Sequence, residues 1–138
     1  MKKIIFTICL IFVFCNISYA GLDNTLKVEQ LLKTSQTWNG KDMPGYPKGK
    51  PEITILRITI PPKTKLAMHQ HPVINAGVLL SGQLTVITKD NKILNLRAGD
   101  ALNEVVNTWH YGKNPGKTPA EIIVFYAGIK DKPVTVKE

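Results

Sequence analysis

From Pro51 onward the chain is cut into short apolar runs, each closed by turn residues before a helix could form. Ile53 to Ile60 reads ITILRITI, rich in β-branched residues, and Pro61-Pro62 ends it. Val73 to Leu80 and Leu84 to Thr88 follow, separated by Ser81-Gly82-Gln83, a tight hairpin signal. Asp90-Asn91 turns before Ile93 to Leu96, Ala98-Gly99-Asp100 turns again, and Ala101 to Val106 extends. Asn114-Pro115-Gly116 breaks the chain before a last strong strand, Ala120 to Ala127. Strands this short and evenly punctuated predict an all-β sandwich or barrel over residues 51–138.

The preceding segments have different characters. Lys2 and Lys3, the apolar run Ile4 to Phe14 and the small residues Ser18 and Ala20 predict a signal peptide over residues 1–20. Cys15 is preceded by Phe14 where a lipoprotein signal needs a small residue, so cleavage after Ala20 is the favoured reading. The expected compartment is the bacterial periplasm or the exterior, with no membrane partner after cleavage. Residues 21–50 read as an N-terminal arm, with Val28 to Lys33 undecided between a short strand and a turn of helix. Trp38 has no motif partner there, and covering apolar surface is its default role.

Both cysteines, Cys9 and Cys15, fall in the signal segment. Disulfides, thiolate ligands and cysteine nucleophiles are therefore excluded from the expected mature domain. The formal charge of +8 becomes +6 once Lys2 and Lys3 are removed (8 − 2). The remaining lysines are scattered and accompanied only by Arg57 and Arg97, which fits a solvated basic surface and no nucleic-acid partner.

The chain has three histidines, and all stand at positions suited to one metal. His69 and His71 form an H-x-H pair, and residues two apart on a strand share a face. His110 follows 39 residues after His71, within Trp109-His110-Tyr111. By the same alternation Trp109 and Tyr111 face away from His110, and one of Phe125 and Tyr126 points inward. The competing reading is three histidines satisfied by hydrogen bonds in a vacant barrel.

Spacing links these residues into two blocks. His69, His71 and Gly82 fit G-x5-H-x-H-x3,4-E-x6-G, with Lys63 at the opening glycine and Asn75 at the glutamate. Gly99, His110 and Asn114 fit G-x5-P-x-G-x2-H-x3-N, with Val105 and Asn107 at the proline and inner glycine. The two blocks resemble the motifs of the cupin superfamily, and more narrowly a group of small exported single-domain cupins. The resemblance implies a double-stranded β-helix, or jelly-roll barrel, often a homodimer. It also implies a divalent transition metal (Fe, Mn, Zn, Ni or Cu) held inside by His69, His71 and His110, with Asn75 as a fourth member.

Asn75 is the informative departure. A neutral amide leaves the ion its full dipositive charge and breaks the usual two-histidine, one-carboxylate pattern of non-haem oxygenases. Its side chain is read as a weak ligand, an outer hydrogen-bonding group, or turned away. Glu104 is the nearest acidic residue, six before His110. The favoured expectation is a surface glutamate at a strand end; the alternative is a group that orients a histidine or moves protons. Asn114 reads as a turn residue that caps backbone.

Two functions follow from the resemblance. One is a metalloenzyme of the dioxygenase, decarboxylase or lyase type, acting on a small organic acid or enolisable compound. The other is a non-catalytic cupin that binds a metal or small ligand. A sugar isomerase or epimerase is weaker, because those cupins are usually larger and keep other acid/base residues. No catalytic residue is assigned from sequence.

Overall fold

The computed structural model describes residues 25–138; the expected signal segment and residues 21–24 lie outside them. Nine strands are present and, among the described residues, no helix: β1 Pro51–Ile60, β2 His69–Gln70, β3 Ile74–Ser81, β4 Gln83–Thr88, β5 Ile93–Arg97, β6 Ala101–Asn103, β7 His110–Lys113, β8 Ala120–Ile129 and β9 Val136–Lys137. They form two antiparallel sheets, one in the order β1-β8-β3-β6 and the other β5-β4-β7-β2-β9. The all-β sandwich or barrel expected from the punctuated runs, and the jelly roll implied by the cupin resemblance, agree with the observed architecture.

Alternation builds the interior. Along β8, Ala120, Ile122, Val124 and Tyr126 are buried while the exposed Phe125 points out. Tyr126 is thus the inward member of its pair. These side chains meet Leu79 of β3, Leu84 and Val86 of β4, Leu96 of β5 and Leu102 of β6 in one core. Full burial of each large aliphatic residue contributes about 1.5–3 kcal/mol relative to exposure. With no cysteine outside residues 1–20, this burial carries the stability of the described domain.

One turn is of a different kind from that expected. Ser81-Gly82-Gln83 does not close a hairpin, because β3 and β4 belong to different sheets. The chain turns a corner there, where Gly82 has φ +76° and lies against β8. Hairpin and corner demand the same turn residues, so local composition does not separate them. Asp90-Asn91, by contrast, closes a true hairpin between β4 and β5.

The motif glycines missing at residues 63 and 107 are replaced by residues that keep the backbone shape. Lys63 and Asn107 have φ of +59° and +49°. Asparagine tolerates this region; lysine does so at a cost of roughly 1–2 kcal/mol. Asn114 holds the loop it opens, its Nδ2 donating to the carbonyls of Ile60 and Thr118 at 3.0 and 2.8 Å.

The arm divides in two. Residues 25–35 are exposed, and Val28 to Lys33 form neither strand nor helix. Residues 36–38 dock: Trp38 N–H donates to Asn103 O at 2.9 Å, and Asn103 Nδ2 donates to Gln36 O at 2.8 Å.

Two of the four positive-φ glycines among the described residues permit a direct test. A Cβ at Gly82 would stand 2.6 Å from Pro119 O, whereas at Gly99, with φ +92°, it would meet nothing within 4 Å. Gly99→Ala is expected to cost about 1–2 kcal/mol from backbone strain alone. Gly82→Ala should cost at least twice as much in urea denaturation, and equal costs would contradict the corner packing.

Candidate metal centre

The histidines converge at one end of the barrel. His69 on β2 lies directly opposite His110 on β7, and His71 follows just after β2. Their ring centroids are 5.0 Å apart for His69 and His71, 4.5 Å for His69 and His110, and 5.1 Å for His71 and His110. One ring nitrogen from each lies within 4.8 Å of the others.

Backbone carbonyls set the tautomers. His69 Nδ1 lies 2.8 Å from Ala67 O, His71 Nδ1 2.8 Å from Val134 O, and His110 Nδ1 2.8 Å from Thr108 O. A carbonyl only accepts, so each Nδ1 carries the proton and each Nε2 keeps its lone pair. Burial lowers all three pKa values, that of His71 to about 4, so the rings are neutral at pH 7. Three neutral imidazoles, each oriented through its second nitrogen, are the donor set of a transition-metal site.

Asn75 completes this wall. It is buried on β3 and lines the same cavity, and its Oδ1 has no hydrogen-bond partner. Its Nδ2 donates weakly to Val73 O at 3.3 Å. An orphaned buried acceptor lining the same cavity as the three imidazoles fits a cation and leaves a polar atom unsatisfied without one.

The expectation of a surface Glu104 is overturned. Glu104 is only 8 % exposed and lines the cavity. Its Oε1 accepts from Trp38 Nε1 at 2.6 Å and from Val105 N at 2.8 Å, while Oε2 lies 3.9 Å from His110 Nε2. Trp38, expected only to cover apolar surface, is the partner that makes this burial tolerable. The contact joins residues 66 positions apart, so no local pattern announces it. Burial raises the Glu104 pKa, and the two N–H donors partly offset it.

The cavity has a volume of about 320 Å³. Leu56, Ile58, Leu66, Leu84, Leu102 and Ile122 form its apolar body, and the histidines, Asn75 and Glu104 its polar end. Lys137 is its lining cation, beside His69 on β9. Tyr126 stands edge-on to His71 at 5.4 Å and is hydrogen-bonded to Thr135. Trp109 and Tyr111 do not line the cavity, as alternation requires.

The cupin domain family model matches residues 56–126, about half of the chain, and the chain belongs to that family. Among solved structures, it is similar to an uncharacterized conserved protein with a double-stranded β-helix domain from Klebsiella pneumoniae. That match has 18% identity and a TM-score of 0.54, covering 66% of this chain and 86% of the other. It is similar also to the DMSP lyase DddQ of Ruegeria pomeroyi, at 18% identity and TM-score 0.54, covering 62% and 42% of the two chains. Oxalate decarboxylase of Bacillus subtilis, described with Mn(II) centres, matches at 24% identity and TM-score 0.52, covering 62% and 23%. The chain thus spans less than half of either enzyme, and these likenesses establish the fold. No curated protein matches the sequence.

Acid should weaken the metal-free protein. Below pH 6.5 the unfolded chain protonates its histidines, while folded His71 resists until about pH 4. Stability is therefore complete above the unfolded pKa and falls through that window, by roughly 3 kcal/mol for His71 alone. Glu104 works in the opposite direction: its raised pKa favours the fold at low pH and loses that contribution as pH rises. With three histidines against one carboxyl, urea midpoints of EDTA-treated protein should drop on acidification from about pH 7 to about pH 5. A midpoint that rises would contradict neutral buried histidines.

Proposed function

We propose that this cupin binds a divalent transition metal through His69, His71, His110 and Asn75 and acts on a small organic molecule. The observation that carries the reading is the shared orientation of the three rings. Each Nδ1 is committed to a carbonyl, and the free nitrogens gather at the polar end of an otherwise apolar cavity. Manganese is among the candidate ions, given the Mn(II) centres of the Bacillus subtilis neighbour, with iron, zinc, nickel and copper also suited to imidazole donors.

The ion would supply Lewis-acid activation of a coordinated substrate oxygen. The chain's own residues do the rest. The aliphatic walls exclude water and take up an apolar substrate body, Lys137 attracts an anionic head, and Asn75 and Tyr126 offer polar atoms beside it. Oxalate, the substrate named for the decarboxylase neighbour, is a small dianion that would leave the apolar walls unfilled. A monocarboxylate or enolisable compound with a hydrocarbon body fits better. The cavity lining includes the exposed Lys137 and Leu56, which supports access by substrate over a closed storage site. Signal-peptide cleavage and action in the periplasm or outside the cell remain part of the proposal.

Metal content tests the site. His69→Ala and His110→Ala should each lower Mn(II) or Zn(II) affinity by at least about 100-fold, and Asn75→Ala by about tenfold. Calorimetric titration of the EDTA-treated, dialysed protein reads both. In the metal-loaded protein, hexanoate should raise Tm more than oxalate does. Equal metal affinity in wild type and both histidine variants would remove the site assignment.

A further inference from the structure

Glu104 is the one buried carboxylate on the cavity wall, and the structure shows where its charge is directed. Its backbone N–H donates to Asn75 O at 2.9 Å, so the end of β6 runs beside the position where the motif expects glutamate. Two neutral donors, Trp38 Nε1 and Val105 N, hold Oε1. That leaves Oε2 turned toward His110 Nε2, at 3.9 Å. Two donors sharing an ion at about 2.1 Å lie at most about 4.2 Å apart, so this pair can hold one ion.

Charge points the same way. A buried carboxylate is costly unless a cation compensates it. Among the described residues, the ion pairs give Glu104 no lysine or arginine; its one ionic-distance neighbour is the His110 ring. A dication between the imidazoles would supply the missing countercharge.

We propose that Glu104 is a ligand of the metal: the site keeps a carboxylate, delivered from β6 instead of from residue 75. Trp38 is its positioning residue, so the arm takes part in metal binding. The inference rests on the metal site proposed above and adds a donor to it. With three histidines, Asn75 and Glu104 as donors, an ion that takes six ligands would retain one position for a substrate oxygen.

The test uses the purified protein with Mn(II) alone. Glu104→Gln keeps an acceptor for both N–H donors but removes the charge. It should weaken Mn(II) binding at about pH 7 by roughly 10- to 100-fold and change the Mn(II) paramagnetic resonance spectrum. Its metal-free Tm should equal or exceed that of wild type, because an uncompensated buried charge is gone. Trp38→Phe, which leaves Glu104 intact, should weaken binding by about tenfold. Wild-type affinity and spectrum in Glu104→Gln would overturn the inference while leaving the histidine site standing. A fall in metal-free Tm with unchanged affinity would reduce Glu104 to a structural role. Failure of the wild-type protein to bind any divalent ion would remove both.

Discussion

The cross-strand pairing of His69 with His110 governs the histidine-lined end of the cavity. It is made between two very short strands, β2 and β7, and both rings lean back on the carbonyl two residues earlier in their own chain segment. That local bond gives each imidazole one tautomer and one direction before any ion arrives, so little orientation remains to be imposed on binding. His71 lacks such a local support. It is held by Val134 and Thr135 from the C-terminal segment, which also adds β9 to the sheet edge. The site is therefore assembled from segments that span most of the described domain. Loss of the C-terminal segment would release His71 and also remove the strand that pairs with His69, leaving only His110 with its supports intact.

What could be read from the sequence follows from which contacts are local. The inward Tyr126 follows from strand alternation, which β8 shows directly in its burial, whereas His71 lies just past β2 and reaches the site without sharing the strand of His69. Evenly spaced turns pointed to an all-β sandwich or barrel, and the motif resemblance narrowed it to a jelly roll. The corner at Gly82 was misread as a hairpin because a positive-φ turn looks the same whichever sheet the next strand joins. Lys63 and Asn107 looked like departures from the motif, yet both keep the backbone conformation that glycine would adopt. The motif there specifies a dihedral angle more than a residue type.

Glu104 and Trp38 were beyond reach for a different reason. An isolated acidic residue at a strand end is ordinarily solvated, and burial is favourable only with a hydrogen-bond donor to offset desolvation. That donor comes from an arm 66 residues away, in a segment with no repeating pattern. The arm's own docking depends on β6, through Asn103 and Gln36. Neither half predicts the other, and only the folded chain shows that the two form a unit.

The charge balance of the cavity gives this unit its significance. A low-dielectric chamber magnifies any uncompensated charge, positive or negative. Three neutral imidazoles and a neutral amide leave a dication with its full charge, while a buried carboxylate nearby lacks a fixed cation. Each is unfavourable alone, and together they cancel much of the other's cost. Asparagine at residue 75 and glutamate at residue 104 thus carry the same formal charge as the familiar motif, with the carboxylate placed just after β6 instead of on β3. On that assignment the negative donor comes from the β6 side, and the amide oxygen of Asn75 completes the β3 wall. The apolar body of the cavity would then orient a bound substrate by its hydrocarbon part as much as the ion would by its oxygen.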